Sequence, residues 1–280
     1  MATTDYTSWT GRTESADDVA GLAPVQGLLA TLDDVETRLG PGDPLPPLWH
    51  WLFFLPQAPM REVGADGHPR RGGFMPPVSL PRRMFAGGEL SFLAPIPLGT
   101  AIRRESQIVG VEAKSGRSGE LVFVNLRHRV FAAETLAVEE SQHIVYREAG
   151  GRLPPPVAKP FAPAPAGAWV REVRPDPVLL FRFSALTFNG HRIHYDRPYA
   201  TAEENYPGLV VHGPLLATLL MDLVRRHAGR PVAGYSFRAV APIFDTAPFR
   251  LVGLADGDSI ELTAERADGA VAMQATATLA

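Results

Sequence analysis

Apolar residues recur at helical spacing over residues 214–227, where Leu215, Leu216, Leu219, Leu220, Leu223 and Val224 form one wide stripe. Pro214 suits a first helical turn and Gly229 follows as a stop signal. The pattern predicts a helix over 214–227. Strand-like segments come next, at 235–243, 249–254, 259–266 and 271–279, and Ala267-Asp268-Gly269-Ala270 reads as the turn of a hairpin between the last two. The first half of the chain repeats this order. A shorter helical candidate rich in Trp and Phe spans 47–55, followed by strand-like runs at 89–93, 100–112, 121–132 and 139–147. The segment 114–119 is a turn between two of those runs. The triplet Ala94-Pro95-Ile96 recurs as Ala241-Pro242-Ile243, each time after a strand that contains an aromatic residue.

Between the halves lies a proline-rich break, Pro154-Pro155-Pro156, then Pro160, Pro163 and Pro165. Proline locks φ and removes a donor, so this run is neither helix nor central strand. The reading divides the chain into an N-terminal domain (1–149), a linker (150–168) and a C-terminal domain (169–280). A long apolar helix followed by curved antiparallel strands packs economically when the sheet wraps around the helix. That is the hotdog arrangement. Two such sheets can join edge to edge and hide their exposed edges. The expected class is therefore α+β, a double hotdog within one chain, each sheet around a central helix.

Composition narrows the function classes. The chain has 280 residues, 20% charged, with a net charge of -3 and no basic excess, which disfavours a general nucleic-acid binder. It has no cysteine, so disulfides, thiolate zinc sites and a cysteine nucleophile are excluded. Residues 1–21 are polar and acidic without an apolar signal core, and no run approaches a membrane span. The expectation is a cytoplasmic protein that acts on a small molecule. Its unpaired sheet edges suggest a homodimer.

Candidate chemistry concentrates in two places. Asn189, His191, His194 and Asp196 form a dense polar set flanked by Phe183, Leu186, Phe188 and Ile193. Polar groups in an apolar frame are costly unless bonded or functional. His191 and His194 make an H-x-x-H pair, but no third ligand stands at a clear spacing, so no metal is expected. Downstream, His212-Gly213-Pro214 opens the apolar helix. Free N–H groups at a helix start favour negative charge, and a glycine there admits close approach of a ligand. A proton-transfer group and a cluster of N–H donors suit chemistry beside a carbonyl.

Ser184-Ala185-Leu186-Thr187-Phe188-Asn189-Gly190-His191-Arg192-Ile193-His194-Tyr195-Asp196, followed by His212-Gly213-Pro214-Leu215, resembles the MaoC-type (R)-specific enoyl-CoA hydratase family. The wording is closer to one branch, the hydroxyacyl-thioester dehydratase type 2 proteins and the mesaconyl-CoA (3-methylfumaryl-CoA) hydratases. Residues 81–90 and 114–124 resemble the same branch, so the likeness spans most of the chain. It implies a hydro-lyase that adds water to a 2-enoyl-CoA thioester, with no cofactor. It implies that His194 transfers the proton and that the Gly213 N–H binds the thioester oxygen. The family's Asp, five residues before the His, falls here on Asn189, which orients water but cannot take a proton near neutral pH. Asp196 is a weaker candidate for that assistance, because it lies on the far side of the motif.

On this reading His191, Arg192 and His212 complete the substrate site. Arg82, Arg83, Arg117 and Arg238 are candidates for the CoA phosphates, which bidentate arginine suits. Arg192, inside the motif, is the candidate for a second substrate carboxylate. The N-terminal half lacks a copy of the Asn–His motif and is expected to form a pocket wall. Its Trp49, His50, Trp51, Phe53 and Phe54 are expected in the core. The favoured substrate is a short branched dicarboxylic ester such as mesaconyl- or itaconyl-CoA. A fatty 3-hydroxyacyl thioester is the alternative. Two other classes remain, a hotdog thioesterase using Asp222, Glu203 or Glu204, and an acyl-CoA binding protein without catalysis.

Overall fold

The computed structural model describes residues 5–116 and 119–280. Arg117 therefore lies outside the described residues. The elements are β1 (Thr13–Val19), α1 (Leu22–Thr31), β2 (Arg82–Phe92), β3 (Ala101–Gly116), β4 (Gly119–Ala132), β5 (Thr135–Arg147), β6 (Trp169–Val173), α2 (Pro177–Leu186), α3 (Gly213–His227), β7 (Val232–Ala239), β8 (Phe249–Asp256), β9 (Ser259–Arg266) and β10 (Val271–Leu279). All strands join one antiparallel sheet in the order β1-β3-β4-β5-β2-β7-β10-β9-β8-β6. The first five belong to the N-terminal half and the last five to the C-terminal half. They meet where β2 pairs with β7, from Gly87 opposite Arg238 to Ser91 opposite Gly234. This is the double hotdog.

Helix α3 is buried from Leu215 to Val224 and packs on β8, β9 and β10. Its stripe covers the whole circumference rather than one face, because the sheet curls around it and other elements close the remaining side. The C-terminal end is fixed by charge. Asp222 is fully buried and accepts from Arg171 Nη1 at 2.9 Å, Arg225 Nη2 at 2.7 Å and Arg226 Nε at 2.8 Å. Arg225 also pairs with Asp34, just after α1. Helix α1 in turn seats against α2, where a side chain at Gly27 would begin 2.7 Å from Leu186.

The two halves follow the same path where the recurring triplets stand. The N–H groups of Leu93 and Ala94 donate to the Ala137 carbonyl at 2.8 and 3.2 Å, and those of Val240 and Ala241 donate to Ala272 at 2.8 and 3.1 Å. Leu45 N–H donates to Ile96 at 2.8 Å, as Val211 N–H donates to Ile243 at 2.9 Å. Residues 45–47 thus occupy the place of residues 211–213. The second half continues into α3. The first half stops, because Leu48 adopts a left-handed conformation (φ 70°) that no α-helix can propagate, and only a 3-10 turn, Trp49–Leu52, follows. The helix expected over 47–55 is therefore a single turn. Trp49, His50, Phe53 and Phe54 are buried as expected, whereas Trp51 faces a cavity.

Only the last three of the expected strands in each half run as a meander, because the first pairs with the last, β2 with β5 and β7 with β10; β9 and β10 begin and end where the alternation does. Strand β1, helix α1, strand β6 and helix α2 were not anticipated. Residues 150–165 have no regular structure, and this stretch is tied to the C-terminal half by Arg250 Nη1, which donates to Ala162 at 2.5 Å. Among the described residues no helix is long and apolar enough to cross a membrane.

The β2–β7 junction demands small residues. A Cβ on Gly87 would lie 2.5 Å from the Phe237 carbonyl oxygen, and one on Gly88 would lie 2.8 Å from that of Ser141. We expect Gly87→Val to destabilise the fold by about 1–3 kcal/mol or more, as overpacking does. The midpoint of chemical denaturation measures it, and an unchanged midpoint would refute the close approach.

Candidate active site

The sequence motif is shaped by the end of a helix. Asp176 caps α2 by accepting from Val178 N–H at 2.7 Å, and Pro177 opens the first turn. At the other end Phe188 is left-handed (φ 47°), which stops the helix and throws the chain outward. The Asn189 side-chain oxygen then accepts the His191 N–H at 3.0 Å, closing an Asx turn. A 3-10 turn, Arg192–His194, delivers His194 into the interior.

His194 is 7% exposed. Its Nδ1 lies 2.7 Å from the Val210 carbonyl oxygen, so Nδ1 carries the proton and Nε2 is left as the free acceptor. Its ring stacks on that of His212 with centroids 3.6 Å apart. His212 is the residue just before α3, so the stack sets His194 beside the helix start. The His212 Nε2 meets the Ser184 hydroxyl at 2.8 Å. No side chain caps the α3 N-terminus, and Gly213 is partly exposed there, 3.7 Å (at its notional Cβ) from the Phe85 carbonyl of β2. The uncapped N–H groups of this first turn form an anion-favouring end.

These groups line one cavity of about 1150 Å³. It holds His191, His194, Asn189 and Gly213 from the second half, and Arg82, Arg83 and Phe85 from the first. It also holds a residue that sequence reasoning missed. His68, on a hairpin between residues 62 and 70, packs on His191 with ring centroids 4.2 Å apart, and Asp66 stands 3.3 Å from the His68 Nδ1. His191 meets His194 edge to face at 5.3 Å. Four histidines thus touch in series. The signal was thin, a lone Asp-x-His in a glycine-rich loop more than 120 residues from the motif.

Burial sets the charge state of this series. It pushes His194 down to about 3, helped by the neighbouring His191, with the Val210 carbonyl opposing. Burial likewise pushes His191 to about 3 and His212 well below its ordinary value. His68 is lowered by burial against the pull of Asp66. Burial would raise Asp66, but the hydrogen bonds from His68 outweigh it and hold the carboxyl at about 2. Asp66, His68 and His191 bring donor atoms within 4.8 Å of one another, the one metal-like grouping among the described residues, and the Arg83 cation beside the two imidazoles weakens it as a cation site.

Several expected residues take other places. His212 is fully buried and backs His194 rather than facing the cavity. Arg238 is exposed on β7 and outside the cavity lining, because the strand alternation turns Phe237 inward. Arg192 is spent on Asp196, with Nε at 2.9 Å and Nη2 at 2.8 Å, and on the Ala65 carbonyl at 3.0 Å. The same pair occupies Asp196, whose other oxygen accepts the Tyr199 N–H, so it takes no part in the cavity. Arg82 lines the cavity but is tied to Glu204 at 3.0 Å. Arg83 also lines it and has no carboxylate partner among the described residues. Asp222 is held by three arginines at the far end of α3, which removes it as a thioesterase carboxylate.

Comparison with known proteins identifies the family. The profile of the hydroxyacyl-thioester dehydratase type 2 family matches residues 48–245. The chain belongs to that family. It is 52% identical over 279 residues to the mesaconyl-C(4)-CoA hydratase of Chloroflexus aurantiacus, covering 100% of this chain and 99% of the relative. It is 29% identical over 259 residues to the mitochondrial hydroxyacyl-thioester dehydratase type 2 of Schizosaccharomyces pombe, covering 83% of each. A Mycobacterium tuberculosis protein described as having a double hotdog fold superposes with a TM-score of 0.59 at 14% identity, over 96% of both chains. The protein is a hydro-lyase, like these named relatives.

The buried histidines make stability depend on pH. Their folded values are depressed below the ordinary 6.5, so the unfolded chain binds more protons as pH falls. The stabilisation is complete above that value and is lost on acidification. At about pH 5 His194 alone accounts for about 2 kcal/mol. We expect the denaturation midpoint to drop between about pH 7 and pH 5, and to drop less in His194→Asn. Equal drops in both proteins would contradict this assignment.

Proposed function

We propose that the protein adds water to a 2-enoyl-CoA thioester whose acyl group carries a second carboxylate, as mesaconyl-CoA does. The observation that carries this reading is the neutral, buried His194, its Nε2 free, stacked against the residue that opens α3. In the proposed step the thioester oxygen sits at the Gly213 N–H and the start of the helix. A water attacks C3, and His194 Nε2 takes its proton. The C2–C3 π electrons move onto the thioester as an enolate, whose oxygen the helix N-terminus stabilises. A proton then reaches C2 and closes the cycle. The Asn189 amide N–H groups orient the water, since its oxygen is engaged by His191 N–H.

Arg83 supports the dicarboxylic substrate. Alternation on β2 puts Arg83 on the face of Phe85, about 7 Å along the strand from the residue that abuts Gly213. Like Arg147, it lines the cavity without a carboxylate partner among the described residues, and it is near enough for its charge to depress His68 and His191. A small anion extending from the oxyanion donors would meet it. Itaconyl-CoA has the same two ends. Arg82 and Arg147 converge near Gly150, whose notional Cβ lies 2.8 and 3.1 Å from their guanidinium nitrogens, and suit the CoA phosphates. We read the N-terminal half as the binding wall and the C-terminal half as the source of His194 and Gly213. The outer strands β1 and β6 are open on one side, which favours a homodimer.

A CoA-ester panel tests the reading. Incubation with crotonyl-, octenoyl-, mesaconyl- and itaconyl-CoA, followed by mass, should show water added to the dicarboxylic esters. Release of free CoA without hydration would point to a thioesterase instead. His194→Ala should lose about 100- to 10,000-fold in kcat while still binding the ester, which separates a catalyst from a binding protein. Arg83→Gln should cost mesaconyl-CoA about 100-fold more than crotonyl-CoA, in line with loss of a charge-assisted bidentate pair. Equal losses on both esters would remove Arg83 as the carboxylate partner.

A further inference from the structure

Asn189 stands where the family has its carboxylate and Asp196 is spent on Arg192, but the other half of the chain brings a carboxylate to just behind the same cavity. The carrier is the hairpin after the Met60–Glu62 turn, closed by the Val63–Pro69 bridge, by Arg70 N–H to Glu62 O at 2.7 Å and by Gly64 N–H to His68 O at 2.7 Å. Its tip is seated on the motif itself. Arg192 donates its backbone N–H to the Asp66 carbonyl at 2.9 Å and its Nη1 to the Ala65 carbonyl at 3.0 Å. Gly67 has φ 90°, and a Cβ there would fall 1.8 Å from the Gly190 carbonyl oxygen. Two glycines, one from each half, let the backbones touch.

The contact fixes the His68 side chain. Asp66 accepts the His68 backbone N–H at 3.0 Å on one oxygen and faces its Nδ1 at 3.3 Å with the other. Nδ1 is thereby the proton-bearing nitrogen, and Nε2 is free. His68 lines the cavity, whereas Asp66 stands behind it. The pair has the form of an imidazole base held in one tautomer by a carboxylate. His191 lies between it and His194, at ring distances of 4.2 and 5.3 Å.

We propose that His68, positioned by Asp66, is a second acid–base residue of the hydration and performs the proton transfer that Asn189 cannot. The inference rests on the hydration proposed above. In the balanced step, the water oxygen bonds to C3 and its proton goes to His194 Nε2. The π pair becomes the enolate. The proton passes from His194 through cavity water alongside the His191 ring to His68 Nε2, and His68 hands it to C2. The enolate pair forms the new C2–H bond, and His194 and His68 return to neutral. No further reactant is needed. Asp66 stabilises the transient His68 cation. The charged and titratable groups around His68 are Asp66 on its own hairpin, His191 on the motif, Arg83 on β2 and Arg71 beyond the hairpin.

The test compares His68→Gln, Asp66→Asn and the double variant His68→Gln/Asn189→Asp, using the enoyl-CoA ester that the unaltered protein hydrates best. We expect His68→Gln to lose about 100- to 1,000-fold in kcat with KM nearly unchanged, the range of a lost acid–base group. Asp66→Asn should lose less and should move the acidic limb of kcat/KM to lower pH, because a carboxylate that favours the imidazolium is gone. Restoring a carboxylate at position 189 should return at least about tenfold of the kcat lost in His68→Gln. A hairpin that matters only for folding would lower the folded fraction, read by thermal melting, and Asn189→Asp would recover nothing. That outcome, or a His68→Gln kcat within threefold of the parent, or a loss wholly in KM, overturns the proposal. If the unaltered protein hydrates no ester at all, the failure belongs to the proposed function.

Discussion

The pairing of β2 with β7 is the constraint from which the rest of the molecule follows. Each half of the chain makes a five-stranded antiparallel sheet with an edge that would otherwise be unpaired. Joining those edges produces one curved surface and places Phe85 of one half beside Gly213 of the other. The join is possible because Gly87 carries no side chain where the Phe237 backbone passes and Gly88 carries none where the Phe237 ring lies. A continuous core then runs from Leu28 and Trp49 through Leu90 to Leu219 and Met273. The cavity is lined by both halves because the sheet that frames it is built from both.

The halves share a path and differ in what they put on it. Where the second half starts a buried helix, the first half makes one turn and stops at the left-handed Leu48. This asymmetry makes the two sides of the cavity different. An uncapped helix start turns N–H dipoles toward one side, and the other side is lined by arginines of the first half.

The four histidines in contact beside the cavity are groups that burial keeps uncharged. Four imidazoles in contact would repel one another if protonated, and each is also poorly solvated, so both effects depress their pKa values. The result is a set of neutral bases at ordinary pH. Asp66 is the one anion among them and is stabilised by the His68 donors, not by an arginine. Arg192, inside the motif, is neutralised by Asp196, which leaves Arg83 and Arg147 as the cavity arginines without a carboxylate partner among the described residues.

What the sequence determined by itself was local or periodic. The alternation located eight of the ten strands, missing β1 and β6, the Leu-rich stripe located α3, and the repeated order of elements pointed to two hotdogs. The motif from Asn189 to His194 and the glycine at the helix start were legible because their meaning lies within a few residues. The tertiary structure alone decided what depends on distant pairing. Whether the helical candidate at 47–55 propagates depends on the backbone at Leu48 and on the space left by α1. Whether Arg83 or Arg192 is free depends on which carboxylate folds beside it. Asp66 and His68 reach the cavity only because Gly67 meets Gly190, residues 123 positions apart in the sequence. Periodicity records which face of an element is buried, whereas partnership between elements is settled by packing and chain closure, which no local pattern encodes.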